Sequence, residues 1–146
     1  MTAGMRFLTK AIAAGAILSA AGALCARGEA RSQTPPGWIL PADAEDRKNP
    51  HPLDDKLLAT GRAVYKDKCA RCHGPGGLGD GPDSDPDARE GMDLTDPKRA
   101  DVNSDGIMFY KVWNGRRRPK MPAFSEELTE DQAWAVVAYV QSLRKK

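Results

Sequence analysis

Two cysteines three residues apart, followed at once by a histidine, constrain this chain more than any other feature. They are Cys69, Cys72 and His73. This spacing places the two thiols about one helical turn apart, so both can reach the two vinyl groups on one edge of a haem. The histidine that follows can place its imidazole under the iron. The motif therefore predicts one covalently attached haem c, with His73 as an iron ligand.

Two other kinds of site also use closely spaced cysteines. A thioredoxin-like dithiol requires a βαβ pattern, and none is visible around this motif. A zinc site requires further ligands, and outside the motif the chain offers only Cys25 and His51. Cys25 lies in a segment that we expect to be removed. Haem attachment is therefore the interpretation that the residues favour.

The N-terminal segment has the pattern of an export signal. Arg6 and Lys10 precede an apolar, alanine-rich stretch over residues 11–26, and small residues follow it. The stretch is shorter than the roughly 20 residues needed to span a bilayer, which disfavours the alternative of an uncleaved anchor. We predict a signal peptide over residues 1–30 and a periplasmic protein that is not inserted in the membrane after cleavage.

Removal of this segment changes the cysteine count and the charge. Cys69 and Cys72 are then the only cysteines, which excludes a disulfide-dense scaffold. The chain loses three of its 22 basic residues and one of its 20 acidic residues, so the mature polypeptide is nearly neutral. Its composition gives no reason to expect nucleic-acid binding.

Hydrophobic periodicity in the remaining chain predicts helices and no strands. Residues 31–52 are rich in proline and charge, and we expect an extended segment on the surface, anchored by Trp38, or a disordered tail. The domain itself is predicted over residues 53–146. Its helices are expected over residues 54–68, 103–113 and 129–143, with N-caps at Asp54 or Asp55, at Asn103 or Ser104, and at Thr129 with Gln132.

The second axial ligand of the iron is expected to be a methionine. The mature chain contains Met92, Met108 and Met121. Met108 lies within a predicted helix, where methionine more often serves packing, and Met92 is the weaker alternative in an acidic loop. Met121 lies in a loop and is followed by Pro122, which stiffens the backbone there. Because methionine and histidine form a standard haem ligand pair, we predict that Met121 ligates the iron.

Several segments together resemble a class I monohaem c-type cytochrome of the bacterial periplasm. The likeness extends roughly from Pro50 to the C-terminus. The matching segments are Gly61 to Tyr65 before the haem motif, Gly79 to Pro82 after it, Asp93 to Pro97, Met121 to Phe124, and the final helix. The haem motif is highly specific, and its order with Met121 and the last helix is fairly specific.

The resemblance implies a small all-α cytochrome c fold, with three or more helices and long loops wrapped around one haem c. It implies that the first and last helices cross, and Gly61 fits such a crossing. It also implies that a proline carbonyl accepts the proton of the proximal imidazole, for which Pro82 is the candidate. Trp113 is a candidate to bind a haem propionate through its indole N–H, although packing is the commoner role of such a residue.

The function that the resemblance implies is one-electron transfer and not enzymatic catalysis. With both axial positions filled by protein, no open site remains for a substrate. We expect a monomeric periplasmic carrier that docks redox donors and acceptors through a basic group, namely Arg116, Arg117, Arg118 and Lys120. One alternative is a dedicated electron-transfer subunit of a periplasmic dehydrogenase or reductase. The other is a haem protein that reacts with gases or peroxide, if Met121 is not a firm ligand.

Overall fold

A computed structural model describes Met1 and residues 37–99 and 102–144, so the predicted signal peptide, apart from Met1, lies outside the described residues. Within this part there are five α-helices and no named strand; two isolated bridges join Leu78 to Asp93 and Arg116 to Met121. The prediction of an all-α fold is confirmed. The helices are α1 (Asp55–Val64), α2 (Ala70–His73), α3 (Arg89–Met92), α4 (Asp105–Asn114) and α5 (Glu130–Leu143).

The first helical run begins where the sequence predicts and continues further. The side chain of Asp54 accepts a hydrogen bond from the backbone N–H of Leu57 at 2.7 Å and caps α1. After Val64 the chain forms one π-helical turn over Tyr65–Cys69, in which the N–H of Ala70 bonds to the carbonyl of Tyr65. The run then enters α2, so the haem motif is itself helical. The expected end at residue 68 was too early because the π turn bridges two helices.

The caps of the other two long helices also follow the prediction. Ser104 caps α4, and Gly115 ends it with φ of 61°, in the left-handed region that favours glycine. Thr129 caps α5, and both hydrogen bonds of its capping box with Gln132 are present. The two helices therefore begin within two residues of the expected positions.

Helices α1 and α5 cross in close contact at Gly61. A Cβ atom built on Gly61 would lie 2.0 Å from the carbonyl oxygen of Ala135 and 2.8 Å from the Cβ of Tyr139. No side chain fits there, which explains a glycine inside a helix despite its cost of about 1 kcal/mol relative to alanine. One turn later the ring of Tyr65 packs on the ring of Tyr139, with centroids 5.3 Å apart. The predicted crossing of the first and last helices is present.

The segment before α1 packs on α4 and α5. Ala44 is buried, and a Cβ on Gly106 in α4 would lie 2.1 Å from its carbonyl oxygen. The guanidinium of Arg47 lies over the ring of Phe109, 4.6 Å from its centroid, and donates to the hydroxyl of Tyr110 at 2.8 Å. Asn49 donates to the backbone carbonyl of Trp134 at 3.0 Å. These contacts make the described part of this segment an integral part of the packed structure.

Aromatic rings form the centre of the core. The ring of Phe109 stacks on Trp134 with centroids 4.3 Å apart and on Trp113 with centroids 5.4 Å apart. Trp134, Tyr65 and Phe109 are among the largest fully buried side chains. Among the described residues, no helix has the length and apolar character required to cross a membrane.

Replacing Gly61 by Ala should destabilise the fold, because the added methyl group meets the backbone of α5 at a distance that packing cannot accommodate. We expect a loss of about 1–3 kcal/mol in the free energy of unfolding, against the small gain that alanine gives in an open helix. Urea unfolding of the holoprotein, followed by circular dichroism, measures this. The matched control is Gly76→Ala, whose Cβ has its nearest neighbour at 4.0 Å. Equal stability of both variants would contradict the tight crossing.

Candidate haem-binding site

A deep cavity opens between the haem motif, α4, α5 and the loop after α4. Its wall includes Cys69, Cys72, His73 and Met121, which the sequence analysis selects as cofactor-binding residues. Apolar side chains from α4 and α5 complete it, among them Met108, Val112, Val136, Val137 and Val140. The largely apolar wall with a few polar groups is typical of a cofactor site.

The two cysteines are free thiols that face this cavity. Burial, followed by the neighbouring Cys72, raises the pKa of the Cys69 thiol to about 12, so it is protonated at neutral pH. The carbonyl of Gly74, directly after the motif, accepts a hydrogen bond from the buried hydroxyl of Tyr65 at 2.7 Å. This bond fixes the end of the motif to the helix that carries it.

The imidazole of His73 is held by a backbone carbonyl. Its Nδ1 lies 2.8 Å from the carbonyl oxygen of Met92. Because a carbonyl oxygen only accepts, Nδ1 carries the proton, and the lone pair of Nε2 is left for a metal. Burial lowers the pKa of His73, which favours the neutral ring that ligation requires.

The carbonyl that holds His73 is therefore not the predicted one. Pro82 is exposed and does not contribute to the cavity wall. The preceding Gly81 packs against the backbone of Arg71, since a Cβ there would lie 2.2 Å from the carbonyl of that residue. The turn is thus held against the backbone of α2, whereas the carbonyl of Met92, at the end of α3, meets the imidazole. The assignment of Pro82 is corrected accordingly.

Met121 is held at the mouth of the cavity by backbone pairing. Its N–H and carbonyl exchange hydrogen bonds with Arg116, at 3.0 and 2.9 Å. The pairing needs Gly115, because a Cβ at that position would lie 2.5 Å from the carbonyl oxygen of Met121. Met92 and Met108 also line the cavity, and both are buried. All three methionines thus reach the same space, and Met121 alone lies in the loop between α4 and α5.

Trp113 has the packing role that is the commoner one for such a residue, and its contact with a propionate stays a prediction. Its ring stacks on Phe109, and Trp113 is not part of the cavity wall. On a helix, residues 111 and 112 face the cavity, and the next position turns toward the neighbouring face. The tryptophan that does line the cavity is Trp38, from the segment before α1. In the sequence, Trp38 stands in a proline-rich and charged stretch. This position predicted that Trp38 anchors the segment, but it did not indicate which residues the ring contacts.

Arg116 is less exposed than the other three members of the predicted basic group. Its guanidinium lies against the ring of Trp38, 4.4 Å from the centroid, and it lines the cavity. Arg117, Arg118 and Lys120 are exposed, as expected. Arg116 and Lys120 therefore line the cavity, and all four basic residues line a groove at the surface beside it.

Comparison with known proteins gives the same assignment as the geometry. The sequence model of the Cytochrome c family matches residues 58–144, which is more than half of the chain. The chain belongs to the cytochrome c family. Membership implies a covalent haem c, and Cys69 and Cys72 occupy the attachment positions of the family's motif.

Individual relatives are similar over most of this domain. The chain is 24% identical to cytochrome c550 of Pseudomonas aeruginosa, over 69% of this chain and 66% of that protein. It is 32% identical to cytochrome c6 of Parathermosynechococcus lividus, over 57% of this chain and 86% of that protein. A chain of the reducing HAO-like protein complex of Kuenenia stuttgartiensis superposes with a TM-score of 0.56 at 30% identity, over 66% of this chain and 47% of that one. The match spans slightly under two thirds of the first relative and about half of the last.

Replacing both Cys69 and Cys72 by Ala should abolish covalent haem attachment, because no other thiol lies in the described wall of the cavity. Haem that remains with the purified protein is then extractable by acidified acetone, whereas haem in the unmodified protein is not. Arg71→Gln, which changes the exposed residue between the two cysteines, is the matched control and should retain bound haem. Haem that resists extraction from the double variant would contradict the assignment.

Proposed function

We propose that this protein is a class I monohaem cytochrome c that transfers single electrons in the periplasm, with His73 and Met121 as axial ligands and thioether bonds through Cys69 and Cys72. The observation that carries the proposal is the placement of these four side chains in the wall of one largely apolar cavity. Their order along the chain, with a final helix packed across the first, agrees with the family match over residues 58–144.

The protein supplies the ligands, their orientation and the exclusion of water. Haem, when bound, supplies a one-electron couple. The carbonyl of Met92 keeps the proton of His73 on Nδ1 and so fixes the ring for ligation through Nε2. Backbone pairing with Arg116 fixes the position of Met121 in the cavity wall. The apolar residues of α4 and α5 lower the local dielectric constant, which favours the less charged, ferrous state.

Substitution of Met121 tests whether this residue is the sixth ligand of the iron. Met121→Ala should remove the sixth ligand, lower the reduction potential and abolish the weak far-red absorption band of ferric Met-ligated haem, with the haem still covalently attached. Absorption spectra and a spectroelectrochemical titration measure both effects. Met108→Leu is the matched control, because Met108 lines the same cavity from within α4.

The result of this pair of variants separates two functions. If the unmodified protein lacks the far-red band and its ferrous form binds carbon monoxide, the sixth position is open and a gas- or peroxide-reactive haem replaces the carrier. If the band disappears only in Met121→Ala, the ligand pair is closed and the chemistry is electron transfer without a substrate site. Loss of the band in Met108→Leu alone would instead assign the ligand to Met108.

We further propose that redox partners dock at the exposed basic group formed by Arg117, Arg118 and Lys120. These residues share a shallow surface groove with Met121, which also reaches the cavity, so the groove adjoins the haem site. Positive charge beside the site of electron exchange attracts an acidic partner and permits fast dissociation. Arg116 also lines this groove, although its guanidinium lies against the ring of Trp38.

Reversing the charges of Arg117 and Arg118 to Glu should slow oxidation of the ferrous protein by ferricyanide, an anionic acceptor. At low ionic strength we expect a decrease of about tenfold or more, which salt should largely remove. Stopped-flow kinetics measure the rates. The control reverses Lys56 and Arg62, which are exposed on α1, and carries the same change of net charge. Equal effects of both pairs at every salt concentration would show that only net charge matters.

A dedicated subunit of a larger redox enzyme is the second candidate. It is favoured by the similarity to a chain of the HAO-like complex of Kuenenia stuttgartiensis. Gel filtration of native extract distinguishes the two, because a free carrier elutes as a monomer and a subunit elutes with its enzyme.

A further inference from the structure

Basic side chains are concentrated in the cavity wall. Among the described residues, six basic side chains and one carboxylate, Asp93, line it. The basic residues are Lys68, Arg99, Lys111, Arg116, Lys120 and Arg144. Lys68 has carboxylate partners, since its Nζ lies 2.9 Å from Glu127 and 3.4 Å from Asp67. The remaining wall therefore carries a clear excess of positive charge.

Several of these cations lie close enough to repel one another. Burial, followed by the charges of Arg99, Arg116 and Arg144, lowers the pKa of Lys111 to about 8. Like charges held together in a partly buried site favour an anion among them.

Two of the guanidinium groups have a buried donor without a partner. The Nε atoms of Arg116 and Arg144 are both buried and make no hydrogen bond. The Nζ of Lys111 donates to the side-chain oxygen of Asn103, which is neutral and leaves its charge uncompensated. Buried donors of this kind are normally satisfied, so the two arginines indicate an acceptor that binds in the cavity.

Trp38 covers this basic group from the outside. Its ring centroid lies 4.4 Å from the guanidinium carbon of Arg116 and 5.1 Å from the Nζ of Lys111. The next residue is fixed as well, because the carbonyl of Ile39 accepts a hydrogen bond from Asn114 at 3.0 Å. Trp38 lies outside residues 58–144, which the family model matches, so this cover is an addition to the family domain.

We propose that Lys111, Arg116 and Arg144 bind the propionate carboxylates of the haem, and that Trp38 closes this anion site against water. The inference rests on the proposed haem binding. A haem attached through its vinyl groups would carry two propionate carboxylates at the opposite edge. The two arginines match these carboxylates in number and are opposite to them in charge. Guanidinium groups suit carboxylates because their N–H donors pair with both oxygens. An aromatic ring over the cations lowers water access and strengthens the ion pairs.

The reduction potential of the holoprotein tests the cations. Cations beside the propionates destabilise the ferric state, so Arg116→Gln and Arg144→Gln should each lower the potential. Both should also shift the propionate bending bands in resonance Raman spectra. Arg62→Gln is the matched control, since Arg62 is exposed on α1 and its replacement removes the same charge. The assignment is overturned if the control lowers the potential equally, or if the bending bands stay unchanged in both cavity variants.

Two variants of Trp38 distinguish shielding of the cations by its ring from ordinary side-chain packing. Trp38→Leu should make the potential more sensitive to ionic strength than that of the unmodified protein, because water and salt reach the ion pairs. Trp38→Phe keeps a ring over the cations and should restore the low sensitivity. An unchanged salt dependence in Trp38→Leu would exclude the covering role. The Trp38 pair also decides the proposal if an arginine variant does not yield holoprotein.

Measurements on the unmodified protein distinguish a failure of the propionate proposal from a failure of the haem-binding proposal on which it rests. Absence of covalent haem, assayed as the pyridine haemochrome, would overturn both. Covalent haem with the far-red band, combined with cavity variants that behave like Arg62→Gln, would overturn the propionate site alone.

Discussion

The close approach of α1 and α5 at Gly61 is the contact on which the rest of the site depends. It brings the backbone of Ala135 to the surface of α1 without an intervening side chain. Tyr65 is thereby placed on Tyr139, and its hydroxyl reaches the carbonyl of Gly74 behind the haem motif. The position of both cysteines thus depends on a contact two turns earlier in the chain, and the valines of α5 that line the cavity are fixed by the same crossing.

Local signals in the sequence were sufficient for the starts of the three long helices and for the haem motif, but not for the short helices α2 and α3. The caps at Asp54, Ser104 and Thr129 depend on hydrogen bonds within a few residues, so they could be predicted from the sequence. The haem motif likewise requires only its own spacing. The crossing at Gly61 was implied by the family resemblance, and it compensates for the cost of a glycine inside a helix.

Assignments that depend on tertiary contacts were less reliable. The sequence does not determine which carbonyl meets His73, because α3 and the turn at Pro82 both come after the motif within twenty residues. It also does not determine which tryptophan faces the cavity. Trp113 lies beside cavity residues on α4 but stacks on Phe109, and Trp38 arrives from outside the helical domain. Both outcomes depend on how distant segments pack, for which no local pattern exists.

The π-helical turn over Tyr65–Cys69 affects the direction in which the haem motif points, whereas the spacing within the motif does not depend on it. A π turn holds one residue more than an α turn, and each added residue of a helix rotates the later side chains by about 100° around the axis. The sequence between Cys69 and His73 sets the distances among the two thiols and the imidazole. The number of residues between Gly61 and Cys69 sets the direction in which all three point. A change of length in this short stretch would leave the motif intact and aim it away from the cavity.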